Sequence, residues 1–347
     1  MALPLHNPTE WNELLTSTMH NVRGTYTDNI FNKNPLLEHL LSNGRVRITD
    51  GGYEIIEPLL YAEGQADVYG EWDLIQVKPT NSLTAAAYEW KQWFSTIIIS
   101  GLDEAQNNGK EQRINLLEAK IKQSEMTMRL KLARMLYGTY SHATIPAYNW
   151  NSLDYLIDDV TPAGRIDPAV AGNEWWKSYV ADYTATPLDA AGLETALRAA
   201  IMATSDNGSD QVDIIITDPA TYAFYESTLT PQVRYTDTNK ANLGFRNLLF
   251  ENVPIMWDAE CPAGTVYGIN SEYVGITIHR DRNFKQSPFS DNLSGSVSGV
   301  AGGGAPGVTT AEAIDARVSF ITTYGNATIR NRRRNFKLQG VAQEVTP

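Results

Sequence analysis

An α+β fold is expected for this chain, because its hydrophobic patterning changes period in blocks. Residues 45–77 hold short β-rich runs broken by glycines and polar turns, with Val46 and Ile48 alternating against Arg45 and Arg47. Residues 109–137 place apolar side chains at Ile114, Leu117, Ile121, Met128, Leu132 and Met135, a spacing of threes and fours that marks one helix face. Residues 188–270 then alternate helical and strand patterns on a smaller scale, as an α/β module does.

Composition bounds the answer. The chain has 347 residues, 42 % of them apolar and 20 % charged, which describes a globular protein. A chain of this length buries about 75 % of its unfolded surface and divides into about two domains. No apolar run approaches the roughly 20 residues that span a bilayer, and residues 1–10 lack the pattern of a signal peptide. The single cysteine, Cys261, excludes an internal disulfide framework, and a reducing compartment fits that usage. The histidines at 6, 20, 39, 142 and 279 are scattered, with no HExxH spacing. No catalytic, cofactor-binding or metal-binding residue is expected.

Taken in order, residues 1–43 are polar with isolated apolar positions, and read as an arm that cannot fold alone. Short helices are expected at 9–15 and at 34–41, the second with Pro35 in its first turn and Gly44 just past its end. Residues 53–61 and 72–77 read as the two strands of a long excursion, joined by the polar turn 62–67. An isolated two-stranded ribbon is marginal in water, so it must lie on its own body or on a neighbouring chain. Residues 83–100 are Ala-rich and aromatic, then β-like from Phe94. The 109–137 helix, stopped at Gly138, would be about 42 Å long and act as a spine. Residues 139–186 are irregular. A helix at 188–203, a strand at 213–217 that is apolar on both faces, a helix at 218–225 and strands at 248–257 and 266–269 follow. Residues 290–310 are Gly/Ser-rich and read as a flexible insertion. Strands at 318–324 and 336–341 close the structure.

Candidate chemistry is sparse. The glycines around 302–304 lack the lysine and preceding strand of a phosphate loop. Asp158 and Asp159 are adjacent and would diverge in an extended segment, so they read as solvated loop charge. Cys261 precedes Pro262 in a turn, with no histidine placed beside it by sequence. Trp90, Trp93, Phe94, Trp175 and Trp176 read as packing aromatics. Charge is more informative. The chain carries −12 overall, yet residues 110–134 carry +4 and residues 330–337 carry +5; elsewhere 16 cations face 37 carboxylates, a balance of −21. Arg332, Arg333 and Arg334 therefore meet either carboxylates of a neighbouring chain or a polyanion.

The order of segments resembles the major capsid proteins of tailed double-stranded DNA bacteriophages, with the Hong Kong 97-type fold, over roughly residues 30–347. Residues 53–77 look like the extended E-loop. NSLTAAAYEWKQWFSTIIISG, from Asn81, looks like the strand leading into the peripheral domain, and 110–137 like its spine helix. Residues 188–201 followed by QVDIIITDPATYAFY look like the start of the axial domain. The most telling stretch begins at Leu248, where Pro254 to Asp258, Pro262 to Gly264 and Tyr267 to Asn270 follow a pattern common in such proteins.

The resemblance implies an N-terminal arm at 1–43, an E-loop at 44–80, a peripheral domain at 81–185 and 276–347 with the 290–310 insertion, and an axial domain at 186–275. It implies a structural protein without a catalytic cofactor, assembling with itself into hexamers and pentamers of an icosahedral shell around packaged double-stranded DNA. A separate scaffolding protein and a portal are expected partners, a decoration protein is an open addition, and no membrane is involved. The location implied is the virion, assembled in the host bacterial cytoplasm. Expected assembly residues are Tyr61, Glu63, Asp67 and Trp72 in the excursion, with Arg332, Arg333 and Arg334. An encapsulin-like nanocompartment shell shares the fold and stays open as an alternative; a soluble α/β enzyme built on 188–270 is the alternative of another class.

Overall fold

The computed structural model describes residues 34–72, 74, 81–106, 116–140, 146–186, 188–206, 210–228, 248–293 and 314–341. The elements, in chain order, begin with α1 (Pro35–Ser42), β1 (Val46–Thr49), β2 (Ile55–Leu60), β3 (Leu83–Tyr88) and β4 (Lys91–Ser100). Next come α2 (Gly101–Gln106), α3 (Leu116–Leu136), α4 (Leu153–Leu156), β5 (Tyr179–Asp182), α5 (Ala190–Thr204), β6 (Ile214–Thr217) and α6 (Pro219–Thr228). The chain ends with β7 (Leu248–Phe250), β8 (Val253–Trp257), β9 (Val266–Ile269), β10 (Val274–His279), β11 (Lys285–Gln286), β12 (Ser290–Leu293), β13 (Ile314–Ile329) and β14 (Phe336–Gln339).

The chain divides into two compact units. The smaller comprises 1–31, 96–126 and 287–320; the larger comprises 32–95, 127–286 and 321–347. Neither coincides with the division expected from sequence.

The larger unit is built around a mixed sheet ordered β5-β14-β9-β6-β8-β7. Its strand β6 is a run of isoleucines whose alternate side chains serve two cores. Ile215 packs with Leu193, Leu197 and Ile201 of α5 and with Tyr222 and Tyr225 of α6. Ile214 and Ile216 pack on the other face with Leu36, Leu40, Leu132, Leu136 and Tyr137. This is the strand buried on both faces that its sequence predicts. The sheet exceeds the expected 186–275 module, because β14 inserts between β5 and β9 and is parallel to the first and antiparallel to the second. Strand pairing is non-local, so the 248–270 pattern carried no sign of that insertion.

In the second sheet, β13 is the organiser. It is 16 residues long and pairs with β10, β11, β12 and β4. Residues 290–293, expected at the start of a flexible insertion, form β12 instead; 294–310 lie outside the described residues.

α3 is 21 residues, and residues 109–115 of its expected span lie outside the described residues. Met128, Leu132 and Met135 are buried as the periodicity requires. Gly138 adopts φ +74° and its N–H donates to Met135 O, the left-handed stop expected there. The arm needs correction at its C-terminal end. α1 is capped by Asn34, whose Oδ1 accepts from Leu37 N at 2.8 Å, and its Leu36 and Leu40 are fully enclosed in the core. Residues 1–33, including the expected 9–15 helix, lie outside the described residues.

Candidate assembly surfaces

The excursion expected at 53–77 is real but paired differently. β2 pairs antiparallel with β3, Ile55 opposite Tyr88 through Leu60 opposite Leu83. The strand paired with β2 among the described residues is therefore 83–88, while 73 and 75–77 of the expected partner strand lie outside the described residues.

Alternation along the ribbon sorts its side chains. Ile55, Glu57 and Leu59 face inward with Ala86 and Tyr88. Ile56, Pro58 and Leu60 face outward with Leu83 and Ala85. Both faces are thus largely apolar, and Leu60 keeps 73 % of its surface exposed. The connection beyond it exposes Val68, Tyr69, Trp72 and Leu74, with Trp72 at 92 %. Soluble monomers rarely leave such a stretch uncovered unless another molecule covers it.

The inner face is anchored electrostatically. The Glu57 carboxylate is buried, 3.4 Å from Arg47 Nη1 and 3.6 Å from Arg330 Nε. Trp90 Nε1–H donates to Gly52 O at 3.0 Å, and the Trp90 ring stacks on Tyr324 with centroids 5.1 Å apart. Gly51 and Gly52 lead into the ribbon at φ +137° and +130°, values that suit only glycine.

Of the expected residues in the excursion, Tyr61 is half-buried and stacks on Trp175 with centroids 5.4 Å apart. Glu63, Asp67 and Trp72 are exposed. The arginine cluster behaves otherwise. Arg332 has 0 % exposure, and its guanidinium donates to the carbonyls of Leu156 (2.8 Å), Thr161 (2.9 Å), Trp176 and Tyr155 (both 3.4 Å). Burial pushes its pKa down from the ordinary arginine value. Arg334 pairs with Asp206 at 3.1 Å and Asp210 at 3.4 Å, and donates to Thr204 O. Lys337, also buried, meets Asp154 at 2.9 Å and Asp158 at 3.7 Å. So Arg332 is not a surface contact, and the partly exposed Arg334 is paired within its own chain; the carboxylates and carbonyls that meet Arg332, Arg334 and Lys337 belong to the same chain. Arg333 alone of the cluster is exposed, with no ion-pair partner among the described residues.

Asp158 is likewise not solvated loop charge: it accepts from Thr161 N at 3.0 Å and faces Lys337. Cys261 is buried, and burial pushes its thiol pKa well up. Trp93 packs edge-on against Trp150 and Phe284, and Trp176 is enclosed. Asp258 of the 254–258 motif accepts from Tyr137 Oη (2.9 Å) and Asn34 Nδ2 (2.5 Å), joining the ends of α3, α1 and β8. Among the described residues no group of three or more His, Cys, Asp and Glu has metal-binding geometry, and no helix is long and apolar enough to cross a membrane. Sequence reasoning missed Gly164 and Arg165 as supports of the ribbon, and nothing in the local pattern of 139–186 signals them; Trp175 packs as its aromatic character suggested.

Neither a family model nor a curated protein sequence matches the chain. Solved capsid structures match it along nearly its whole length. The capsid of cyanophage A-1(L) has a TM-score of 0.61 at 15 % identity, covering 96 % of this chain and 99 % of that one. The capsid of a native GTA particle has a TM-score of 0.61 at 9 % identity, covering 97 % and 99 %. The holo-SrpI encapsulin of Synechococcus elongatus PCC 7942 has a TM-score of 0.54 at 9 % identity, covering 98 % and 97 %. The chain therefore has the Hong Kong 97-type fold shared by phage capsid subunits and encapsulins.

Proposed function

We propose that this chain is the major capsid protein of a tailed double-stranded DNA bacteriophage, a structural subunit that assembles with its own copies into hexamers and pentamers of an icosahedral shell. The observation that carries the proposal is the ribbon with two apolar faces and the exposed Val68, Tyr69, Trp72 and Leu74 beyond it, on a fold that matches capsid subunits over 96 % of the chain. One face is covered by the subunit itself, and the other is suited to a neighbouring copy. In this assignment β2, β3 and their connection form the E-loop, α3 the spine helix, and the sheet containing β6 the axial layer. Tyr61, Glu63, Asp67, Trp72 and Arg333 remain interface candidates. Packaged DNA on the inner face, a separate scaffolding protein, a portal and location in the virion belong to the same reading.

The encapsulin match supports a second reading, a shell around a cargo enzyme. Negative-stain microscopy of the purified protein, alone and with neighbouring reading frames, tests both. Closed particles containing nucleic acid support the capsid; particles containing a protein cargo support the compartment. A monomer or small oligomer under every condition rejects both. Deleting residues 62–68 is expected to leave a folded subunit that forms no stable shells, and normal particles by sedimentation would sink the ribbon's assigned role.

A further inference from the structure

Arg332 is enclosed in its own subunit, yet it lies one step from the ribbon. Its guanidinium grips the carbonyls at the end of α4, Tyr155 and Leu156, where a helix C-terminus favours a cation. The same fork reaches Thr161 O and Trp176 O, and the Trp176 ring lies 6.0 Å from it. Thr161 leads into a tight turn at Ala163-Gly164-Arg165-Ile166. Ala163 and Ile166 exchange both backbone hydrogen bonds at 3.1 Å, and Gly164 and Arg165 adopt φ +60° and +63°. Two positive φ values in sequence are those of a type I′ turn. Trp176 Nε1–H donates to Ala163 O at 2.9 Å, fixing the turn from below.

The upper side of that turn holds the ribbon. Ala87 N–H of β3 donates to Gly164 O at 3.0 Å. Arg165 pairs with Glu54 at the foot of β2. Gly164 is so close to β3 that a Cβ there would sit 2.7 Å from Ala86 Cβ and 3.2 Å from the Tyr88 ring. Trp175, next to Trp176, carries the Tyr61 stack at the far end of β2.

We propose that Arg332 is a positioning residue for the ribbon: it holds the 155–176 loop as a bracket, and the bracket holds β2 and β3 in one orientation. The bracket stands on the subunit's own contacts; its consequence for shells rests on the assembly reading above. A lysine keeps the charge but offers a single ammonium in place of a planar fork, so it cannot hold the helix end and the turn together.

The test is hydrogen exchange on the full-length, unassembled subunit. In Arg332→Lys, peptides covering 54–61 and 83–88 are expected to exchange at least tenfold faster than in the unmodified protein, with peptides covering 214–217 and 266–269 unchanged. Gly164→Ala, which leaves the arginine in place, is expected to give the same pattern, and Arg333→Ala neither effect. Unchanged ribbon exchange in a folded Arg332→Lys overturns the proposal, as does acceleration spread equally over the central sheet. If Arg332→Lys does not fold, Gly164→Ala and Arg165→Ala decide: intact ribbon protection in both rejects the bracket. Regular shells built from subunits with a loosened ribbon would reject the assembly role of the ribbon and leave the bracket standing.

Discussion

Two cations of the 330–337 run, Arg332 and Lys337, are enclosed rather than at the surface. Replacing Arg332 by Glu places an uncompensated carboxylate among carbonyl oxygens, so it should cost more than about 4 kcal/mol and unfold the subunit. Arg333→Glu, at an exposed position, should change stability by no more than about 0.5 kcal/mol, leaving any assembly defect to report on contacts between copies. Denaturant melts of the two variants separate these outcomes; an Arg332→Glu subunit as stable as the original would contradict the burial argument. Asp158 makes a pH prediction. Burial alone would raise its carboxyl, but the hydrogen bonds from Thr161 and the Lys337 ammonium hold it below the ordinary 3.8. A carboxyl lowered by folding stabilises the fold above its unfolded value, and that contribution is lost as pH falls through the lowered one. Asp158→Asn should therefore lower Tm by a few degrees at pH 7, with the gap closing toward pH 3. A gap that stays constant across that range would contradict the assignment.

At the scale of the element, the ribbon's two faces predict opposite outcomes for two positions on the same strand. Leu59→Glu buries a charge against the core and should destabilise the subunit by about 3 kcal/mol or more. Ile56→Glu lies on the outer face, should leave stability within about 1 kcal/mol, and should abolish particles. Thermal melts with sedimentation distinguish them, and particles from Ile56→Glu at normal yield would remove the outer face from the interface. Sequence made the first strand legible through its β-rich composition. It misplaced the second because Ala85, Ala86 and Ala87 have low strand propensity. Ala86 is small where the Gly164 turn approaches β3, a reason that exists only in three dimensions. The 22-residue connection between the strands hid the pairing too, since loop-closure cost grows only slowly with length.

For the whole molecule, the proposed shell would bring copies of a subunit of net charge −12 together across contacts that include apolar surface. Like charge opposes association, and salt screens it over about 10 Å at 0.1 M. The critical concentration for shell formation should therefore fall as ionic strength rises from roughly 0.05 to 0.3 M. Light scattering measures it, and the opposite trend would mean that opposite charges, rather than covered apolar surface, hold the copies together. The segments expected to face a polyanion now differ in standing. In the 330–337 run, Arg330, Arg334 and Lys337 pair with Glu57, Asp206, Asp210, Asp154 and Asp158 of the same chain, whereas Arg333 and, on α3, Lys120, Lys122 and Arg129 remain at the surface.

Periodicity was settled by the order of residues alone. The α3 stripe and its Gly138 stop, the doubly buried Ile214–Thr217 strand, the α5 face and the need of an apolar ribbon for cover all follow from local spacing and composition. Tertiary structure decided the partners: β3 for β2, β14 between β5 and β9, α1 in the core rather than on an arm, and carbonyls rather than a neighbour's carboxylates around Arg332. The physical reason is that helix and strand formation depend on residues a few positions apart. Pairing and charge compensation join positions as far apart as Arg330 and Glu57, and no local pattern records which distant group will be there.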